Sequence, residues 1–463
     1  MLQAVPSIAS RWQASRRDDP PRRRERRPGL GAPGPVGCIT RFASRRRSDV
    51  LSLPAVSVRR PTLVPAGVDP AAAPFLLARG LRAFADGYVA VLLPAYLLAL
   101  GLGTLEVGFI ATATLLGSAI ATIAVGLWAH AVSSRRLLHA AAWLMILTGL
   151  GFAGLDSFWP LLVVAFAGTL NPSAGDVSVF LPLEHARLAS TAAGPARTTL
   201  FARYSVIGAV CAALGALAAA LPDALAAHAG LSRMAALRAM FVLYAAIGGV
   251  VWALYRRLDA GVPAGDSPAP ARLGPSRRTV VGLAALFSID AFAGGLVVNA
   301  LLSTWLLQRF GLSLAQAGAF FFWAGLLTAG SQLLAPAVAR RFGLLNTMVF
   351  THLPANVCLI LAAFAPGLPL ALALLLARSA LSQMDVPTRT AYVMAVVTPP
   401  ERPAAASLTA VPRSLAAALS PALGGAMFAA GWLALPLALC GALKIAYDLA
   451  LWRACRGRPL RDA

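Results

Sequence analysis

The stretch Gly101-Leu-Gly-Thr-Leu-Glu-Val-Gly108 occurs a second time, in altered form, as Gly311-Leu-Ser-Leu-Ala-Gln-Ala-Gly318. Three further pairs follow in the same order and at nearly the same spacing: His130 with Arg340, Asp176 with Asp385, and Arg203 with Arg413. A recurrence of this kind indicates an internal repeat. The sequence therefore predicts two copies of one structural unit, arranged in tandem.

The composition indicates that these units lie in a membrane. Hydrophobic residues make up 58% of the chain and charged residues 13%, and the mean hydropathy is +0.72. A water-soluble protein could not bury so much apolar surface. From residue 74 onward, apolar stretches recur with the length of a membrane-crossing helix, which is about 20 residues. We predict an all-α membrane protein with twelve transmembrane helices, near residues 76–100, 105–131, 135–155, 158–184, 196–221, 236–257, 279–307, 313–339, 344–365, 369–397, 404–430 and 432–453.

Arginine placement predicts the orientation. The loops after every second predicted helix, together with the C-terminus, carry most of the loop arginines. The loops on the opposite side carry only Arg233, Arg238 and Arg309. The positive-inside rule then places both termini in the cytoplasm, as an even number of spans requires. We expect a multi-pass protein of the plasma or inner membrane.

The predicted domains follow from these elements. An Arg/Pro-rich tail without a fold spans residues 1–73. The two six-helix bundles span 74–258 and 279–454, and a Pro/Gly-rich cytoplasmic linker over 259–278 joins them. A cytoplasmic tail spans 455–463. An arginine-rich tail can bind anionic lipid or nucleic acid, or can be an extension without a partner. We expect the extension, and no nucleic-acid binding.

The sequence does not favour a cofactor, a metal site or an enzyme. The five cysteines form no C-x-x-C pair and are expected to pack as small apolar residues. The chain contains no H-E-x-x-H motif, no G-x-S-x-G motif and no phosphate-binding loop. An intramembrane enzyme is therefore the weakest of the function classes.

Ionisable side chains inside the predicted helices are the candidate functional residues. Each costs about 2.5–3.5 kcal/mol at membrane depth when unpaired, so each is expected to face protein or water. They either pair across helices and hold the bundle together, or line a path for a solute. The candidates for the solute and ion pathway are Asp86, Asp176, Asp290, Asn299, Arg378, Gln383 and Asp385.

Spacing predicts which of these groups share a helix face. Arg82 and Asp86 are four residues apart and are expected to pair, and the same holds for Lys444 and Asp448. Three charged residues of the predicted tenth helix are spaced so that they lie within about 40° of arc and form one stripe, which is expected to face protein or water. These are Arg378, Asp385 and Arg389.

The loop after the second predicted helix reads Gly126-Leu-Trp-Ala-His-Ala-Val-Ser-Ser-Arg-Arg136, and the loop after the eighth reads Pro336-Ala-Val-Ala-Arg-Arg-Phe-Gly343. Both resemble the G-x-x-x-D-R-x-G-R-R signature of the major facilitator superfamily. The resemblance implies two pseudo-symmetric six-helix bundles that rock against each other. It also implies a central cavity lined by helices 1, 4, 7 and 10.

In that family, the loop after helix 2 carries a carboxylate and arginines that latch the cytoplasmic gate. Arg135 and Arg136 keep the arginines, whereas His130 replaces the acid, which leaves Asp176 or Glu184 for the acidic role. The predicted gate or salt-bridge residues are Arg82, Arg135, Arg136, Glu184, Arg203, Arg340, Arg341, Arg389 and Arg413.

We therefore predict a secondary active transporter of a small solute that works by alternating access as a monomer. Proton coupling is the expected energy source, because a buried carboxylate can carry a proton near neutral pH. Asp86 is the first candidate for that role and Asp290 the second. Two alternatives stay open, namely a multidrug efflux antiporter and a non-transporting sensor on the same scaffold. The G-P-x-x-G-G element of drug antiporters is absent from helix 5, while Ser420–Gly425 in helix 11 resembles it.

Overall fold

The computed structural model of the chain describes residues 64, 67–128, 132–173, 178–258 and 273–457. Sixteen α-helices and two short 3-10 helices make up the regular structure of this part. The predicted pathway residue Asp176 lies outside the described residues, and so does His130 of the loop motif. The predicted tails at 1–73 and 455–463 and the linker at 259–278 lie largely outside them, so the predicted domain boundaries stay predictions.

The first eight helices form what we call the first half. They are α1 (Ala73–Ala99), α2 (Thr104–Trp128), α3 (Ser134–Gly154), α4 (Phe158–Ala167), α5 (Phe180–Ser190), α6 (Gly194–Ala218), α7 (Leu221–Ala229) and α8 (Arg233–Arg256), preceded by a 3-10 turn at Pro70–Ala72.

The other eight helices form the second half. They are α9 (Arg277–Gly295), α10 (Asn299–Phe310), α11 (Leu314–Phe342), α12 (Leu344–Ala363), α13 (Leu368–Leu381), α14 (Asp385–Val396), α15 (Arg402–Ala429) and α16 (Leu435–Cys455), with a second 3-10 turn at Pro399–Glu401.

The predicted helices 4, 7 and 10 are each divided into two, as α4/α5, α9/α10 and α13/α14. Proline explains the last break, because the ring of Pro387 leaves no room for a helical carbonyl at Gln383. The stripe predicted on helix 10 assumed a continuous rod and is wrong. Arg378 belongs to α13, whereas Asp385 and Arg389 belong to α14 beyond the break.

The chain is a multi-pass membrane protein. Nine helical stretches of the described residues are long and apolar enough to cross a membrane. The divided pairs α4/α5 and α13/α14, together with α15, are not among the nine, so the count of twelve spans stays a prediction. Large apolar side chains such as Trp159, Phe364 and Leu333 are more than 60% exposed, which fits helices whose outer surface faces lipid.

The repeated sequence encodes one turn that occurs in both halves. Gly101 follows α1 and Gly311 follows α10, with positive φ angles of 82° and 65°, a conformation that glycine adopts without strain. The next helix then begins in the same way in each copy. The Glu106 carboxylate accepts from the Gly103 amide at 2.9 Å, and the Gln316 amide oxygen accepts from the Ser313 amide at 3.0 Å.

The last glycine of each repeat lies where the two halves meet. A Cβ atom on Gly108 of α2 would lie 2.7 Å from the Pro421 carbonyl oxygen and 2.9 Å from Gly425 Cα, both in α15. A Cβ atom on Gly318 of α11 would lie 2.4 Å from the Ala216 carbonyl oxygen in α6. Glycine therefore permits backbone contact between the halves. We call this region, near the start of α2 and the end of α15, the closed end.

A carboxylate at the opposite end fixes the start of the second half. Glu401, in the 3-10 turn before α15, accepts hydrogen bonds from the Gly274 amide at 2.6 Å and from the Ser276 hydroxyl at 2.7 Å. The Thr398 hydroxyl also donates to it, at 2.6 Å. The hydrogen bonds from Thr398 and Ser276 lower the pKa of Glu401 from its ordinary value of 4.5 to about 2.

Replacing Glu401 by glutamine should lower the melting temperature by a few degrees at neutral pH. A carboxylate with a depressed pKa stabilises the fold above its ordinary pKa, and this contribution disappears as the pH falls towards the folded-state value. The difference in melting temperature between Glu401→Gln and the unaltered protein should therefore shrink as the pH falls below about 4.5. Melting curves of the detergent-solubilised proteins between pH 7 and pH 3 measure it. Glu106→Gln is the control, because Gln316 makes the equivalent helix-capping hydrogen bond in the second half. If the melting temperatures of Glu401→Gln and the unaltered protein differ by the same amount at every pH, the depressed pKa of Glu401 is contradicted.

Candidate functional site

A buried ion pair joins the first and fourth predicted helices of the first half. Arg82 on α1 and Glu184 on α5 form a bidentate pair, with Nη1–Oε1 and Nη2–Oε2 distances of 2.9 and 2.6 Å. Arg82 is 4% exposed and Glu184 is fully buried. The hydroxyl groups of Tyr204 on α6 and Tyr255 on α8 each donate to the carboxylate at 2.5 Å. Four helices thus contribute to one charge cluster, which we call the first cluster.

The first cluster compensates both of its charges. A bidentate arginine–carboxylate pair with further hydrogen bonds is the arrangement that offsets the desolvation of buried ions. The Arg82 guanidinium also lies over the Phe180 ring, 4.1 Å from its centroid. The predicted pair between Arg82 and Asp86 is not formed. The cation precedes the acid along the helix, which is the less favourable order, and Arg82 is occupied by Glu184.

Asp86 is a half-buried carboxylate in the middle of α1. Among the described residues, no side chain forms a hydrogen bond or an ion pair with it. Its electrostatic neighbours are Arg79 and Arg82. The other carboxylates that the structure describes near the membrane centre all have partners, so Asp86 differs from them.

The second half contains a corresponding cluster around Asp290, on α9. Lys444 Nζ on α16 donates to Asp290 at 2.5 Å, and Arg389 Nη1 on α14 donates to it at 3.2 Å. Arg389 also pairs with Asp385, four residues earlier, at 3.1 Å. All four residues are buried. We call them the second cluster.

The pair predicted between Lys444 and Asp448 is not formed either. Lys444 reaches Asp290 on α9, whereas Asp448 accepts from His352 Nδ1 at 3.0 Å and from Asn356 Nδ2 at 3.3 Å, both on α12. The two side chains leave α16 towards different helices. The cation again precedes the acid by four residues, the weaker order for pairing within a helix.

The clusters hold each half together without joining the halves. Arg82 and Glu184 link predicted helices 1 and 4, and Asp290 and Arg389 link helices 7 and 10 with the signs reversed. Every ion pair between described residues connects positions within one half. Contact between the halves depends instead on close backbone packing and on hydrogen bonds, so that separating the halves breaks no ion pair between described residues.

Two of the helix breaks meet across the halves. The Ala300 amide, at the start of α10, donates to the Pro172 carbonyl between α4 and α5 at 3.0 Å. The Ser303 hydroxyl donates to the Val91 carbonyl of α1 at 3.1 Å. A broken helix leaves backbone groups without intrahelical partners, and within a membrane these must be satisfied by protein or water. The breaks thus place polar backbone between the halves.

No described side chain bonds to three further predicted pathway residues, Asn299, Gln383 and Arg378, or to Arg413 of the predicted gate. Asn299 is the first residue of α10 and Gln383 lies in the break between α13 and α14, and both are half-buried. Arg378 and Arg413 are also half-buried, and the Nε atom of each is buried without a hydrogen-bond partner.

Four of the predicted gate arginines lie near helix ends, at the start of α3 and the end of α11. Arg135 is half-buried and Arg136 exposed at the start of α3, and Arg340 and Arg341 are exposed at the end of α11. Arg203 is half-buried on α6. No ion pair joins Arg135, Arg136, Arg340 or Arg341 to a described acid. The gate therefore stays a prediction, since His130 and Asp176 lie outside the described residues.

Sequence reasoning missed the polar groups that complete the clusters. Tyr204 and Tyr255 lie far from Glu184 along the chain, and nothing in the sequence marks them among seven tyrosines. His352 and Asn356 could have been found, because two polar residues four apart on an apolar helix lie on one face. That face meets Asp448.

Two helical halves, each tied together by buried charges and joined by close backbone contacts, define a membrane protein of the carrier class. The model of the Major Facilitator Superfamily matches residues 75–383, and the chain belongs to this superfamily. It is a membrane transporter, and the predicted family resemblance is confirmed.

Known proteins resemble this chain over most of its length. The uncharacterized membrane protein YJR124C of Saccharomyces cerevisiae is 24% identical over 406 residues, which cover 80% of this chain and 91% of that protein. The nucleoside transporter NupG superposes with a TM-score of 0.64 at 14% identity, over 83% of this chain and 99% of that one. The xylose transporter XylE from E. coli, in an inward open conformation, superposes with a TM-score of 0.63 at 15% identity, over 84% of this chain and 97% of that one. These likenesses to solved structures show the fold.

Proposed function

We propose that this transporter moves a small solute by alternating access and that a proton gradient drives it through Asp86. The arrangement of contacts supports the first part. Ion pairs between described residues lie within the halves, and close glycine contacts lie between them, so each half can move as a unit. The state of Asp86 supports the second part and is the observation that carries the proposal.

Asp86 has the environment that a proton-carrying group needs. It lies at membrane depth, it is half-buried, and among the described residues it has no hydrogen-bond partner. Desolvation disfavours its charged form, and protonation removes that cost. When the halves rock, the same side chain becomes exposed to water on the other side and can release the proton. Transport and proton movement are then coupled through one carboxyl group.

Asp86→Asn should abolish accumulation driven by a proton gradient. One pH unit corresponds to about 1.4 kcal/mol, so coupling of one proton to one solute sustains up to about tenfold accumulation per pH unit. The variant should reach a ratio near one, while its exchange of solute across the membrane continues. Proteoliposomes with an imposed pH gradient, tested with radiolabelled nucleosides, sugars and their phosphorylated forms, measure both activities.

Asp223→Asn is the matched control, because Asp223 is an exposed acid whose contact with Arg233 is long, at 3.8 Å. This variant should accumulate solute as the unaltered protein does. Gradient-driven accumulation that survives in Asp86→Asn would remove Asp86 from the coupling mechanism.

A further inference from the structure

The charged side chains near the membrane centre of the second half do not balance. The cations are Arg378, Arg389, Arg413 and Lys444, and the acids are Asp290, Asp385 and Asp448. Arg389 and Lys444 occupy the carboxylates of Asp290 and Asp385. Asp448 is held by His352 and Asn356 on α12. Two arginines, Arg378 and Arg413, are left without an acid.

The surroundings of these two arginines are alike. Neither forms an ion pair or a hydrogen bond with a described side chain. Each is half-buried, and in each the Nε atom is buried without a partner, whereas the terminal nitrogens are not among the buried unpaired atoms. Asp290 is an electrostatic neighbour of both. The terminal nitrogens are therefore at least partly accessible, and both arginines lie near the second cluster, where Arg413 also has Arg389 and Asp385 as electrostatic neighbours.

An unpaired arginine at membrane depth is costly and needs a reason. The paired cations of this protein show what a structural role looks like, since Arg82 and Lys444 each have a carboxylate oxygen within 2.6 Å. Arg378 and Arg413 have none. A guanidinium group presents a planar fork of donors that matches a carboxylate or a phosphate.

We propose that the transported solute is an anion carrying a carboxylate or phosphate group, and that Arg378 and Arg413 bind this group. The inference rests on the proposed transport function and gives its substrate class.

The test uses pairs of probes that differ in one anionic group. Adenosine monophosphate is compared with adenosine, glucose 6-phosphate with glucose, and glucuronate with glucose, as ligands that raise the melting temperature of the purified protein. At least one anionic member should stabilise the protein where its neutral partner does not. In Arg378→Gln and in Arg413→Gln, the apparent affinity for that anion should fall by about tenfold or more, as expected from loss of a charged hydrogen bond.

Arg309→Gln is the matched control, because Arg309 is an exposed arginine of the same half that belongs neither to the predicted gate nor to the predicted pathway. It should bind the anion as the unaltered protein does. A panel in which neutral probes stabilise as well as anionic ones would overturn the proposal. Anion-dependent stabilisation that persists in both Arg378→Gln and Arg413→Gln would overturn it as well.

The stability of the ligand-free variants provides an independent check. Because Arg378 and Arg413 have no partner, the two glutamine variants should melt at or above the temperature of the unaltered protein. Arg389→Gln should melt below it, since Asp290 and Asp385 lose their cation. A marked loss of stability in Arg378→Gln or Arg413→Gln would show a structural role and contradict the proposal.

An anionic lipid headgroup has the same chemistry as a soluble anion, so both sources are tested. The probes are compared in nanodiscs of phosphatidylcholine and of phosphatidylglycerol. One outcome would overturn the proposal that the arginines bind a transported solute. It is stabilisation by phosphatidylglycerol without any anionic probe, together with loss of this stabilisation in the two arginine variants, because the arginines would then bind lipid. Asp86→Asn should still bind the anionic probe, which separates failure of this inference from failure of proton coupling.

Discussion

Glu184→Gln should destabilise the protein by about 3–5 kcal/mol, the effect of leaving one buried charge without its partner. Arg82 would then lie 4% exposed, beside a neutral amide. Tyr204 and Tyr255, which both donate to the carboxylate, would lose the charged acceptor that makes their bonds strong. Denaturant or thermal unfolding of the detergent-solubilised protein measures the loss.

Two further variants test the cause of this loss. Asp223→Asn removes an exposed acid with a long contact and should change the stability by no more than about 1 kcal/mol. The double variant Arg82→Met with Glu184→Leu removes both charges and should recover much of the stability lost in Glu184→Gln. Equal stability of Glu184→Gln and the unaltered protein would show that the first cluster does not hold the first half together.

Gly108→Val should shift the protein towards the conformation in which the closed end is open. Its Cβ would lie 2.7 Å from the Pro421 carbonyl oxygen and 2.9 Å from Gly425 Cα, and both neighbours are backbone atoms that cannot rotate away. Overpacking of this kind costs about 1–3 kcal/mol. Since only the conformation with α2 against α15 bears the cost, the ratio of the two conformations should change by about 5- to 150-fold.

Gly126→Val is the control for this variant. Gly126 belongs to the same helix, and a Cβ atom there meets nothing within 4 Å. The added side chain should leave the conformational ratio unchanged. A similar effect of both valines would indicate a general disturbance of α2 and not a contact between the halves.

The helices and the repeat were predictable from the sequence because their causes are local. Gly101 and Gly311 mark the same turn in both halves, and Glu106 and Gln316 complete the same cap. Apolar length located the nine stretches of the described residues that can cross a membrane, since a membrane imposes that length on each helix. The division of helix 10 was less visible, because Pro387 alone does not say whether a helix bends or ends.

The partners of the charged residues were not predictable in the same way. Arg82 pairs with a residue 102 positions away, and Lys444 with one 154 positions away. Spacing along one helix favoured the neighbours Asp86 and Asp448, yet in both cases a carboxylate on another helix offered better geometry. Which charged residue stays unpaired depends on ion pairs between residues far apart in the chain. The sequence therefore named Asp86, Arg378 and Arg413 as ionisable residues but could not distinguish them from the charged residues that form ion pairs.

The distribution of contacts suggests how the transporter moves. Buried ion pairs make each half stiff, and the halves meet through glycine, where small separations break no ion pair between described residues. The closed end contains one hydrogen bond across the halves near Gly108, from the Ala422 amide to the Thr112 hydroxyl at 2.9 Å. Moving the halves apart would break this bond and those from Ala300 to Pro172 and from Ser303 to Val91, whereas separating the helices of one half would break buried ion pairs.

Paired distances across the two ends test this account most directly. Spin labels replace Leu105 and Ala430 at the closed end, and Arg136 and Arg340 at the other end, in a protein whose five natural cysteines are replaced by serine. In Gly108→Val, the distance at the closed end should lengthen while the distance at the other end shortens, relative to Gly126→Val. Distances that stay the same, or that both lengthen, would contradict two stiff halves rocking against each other.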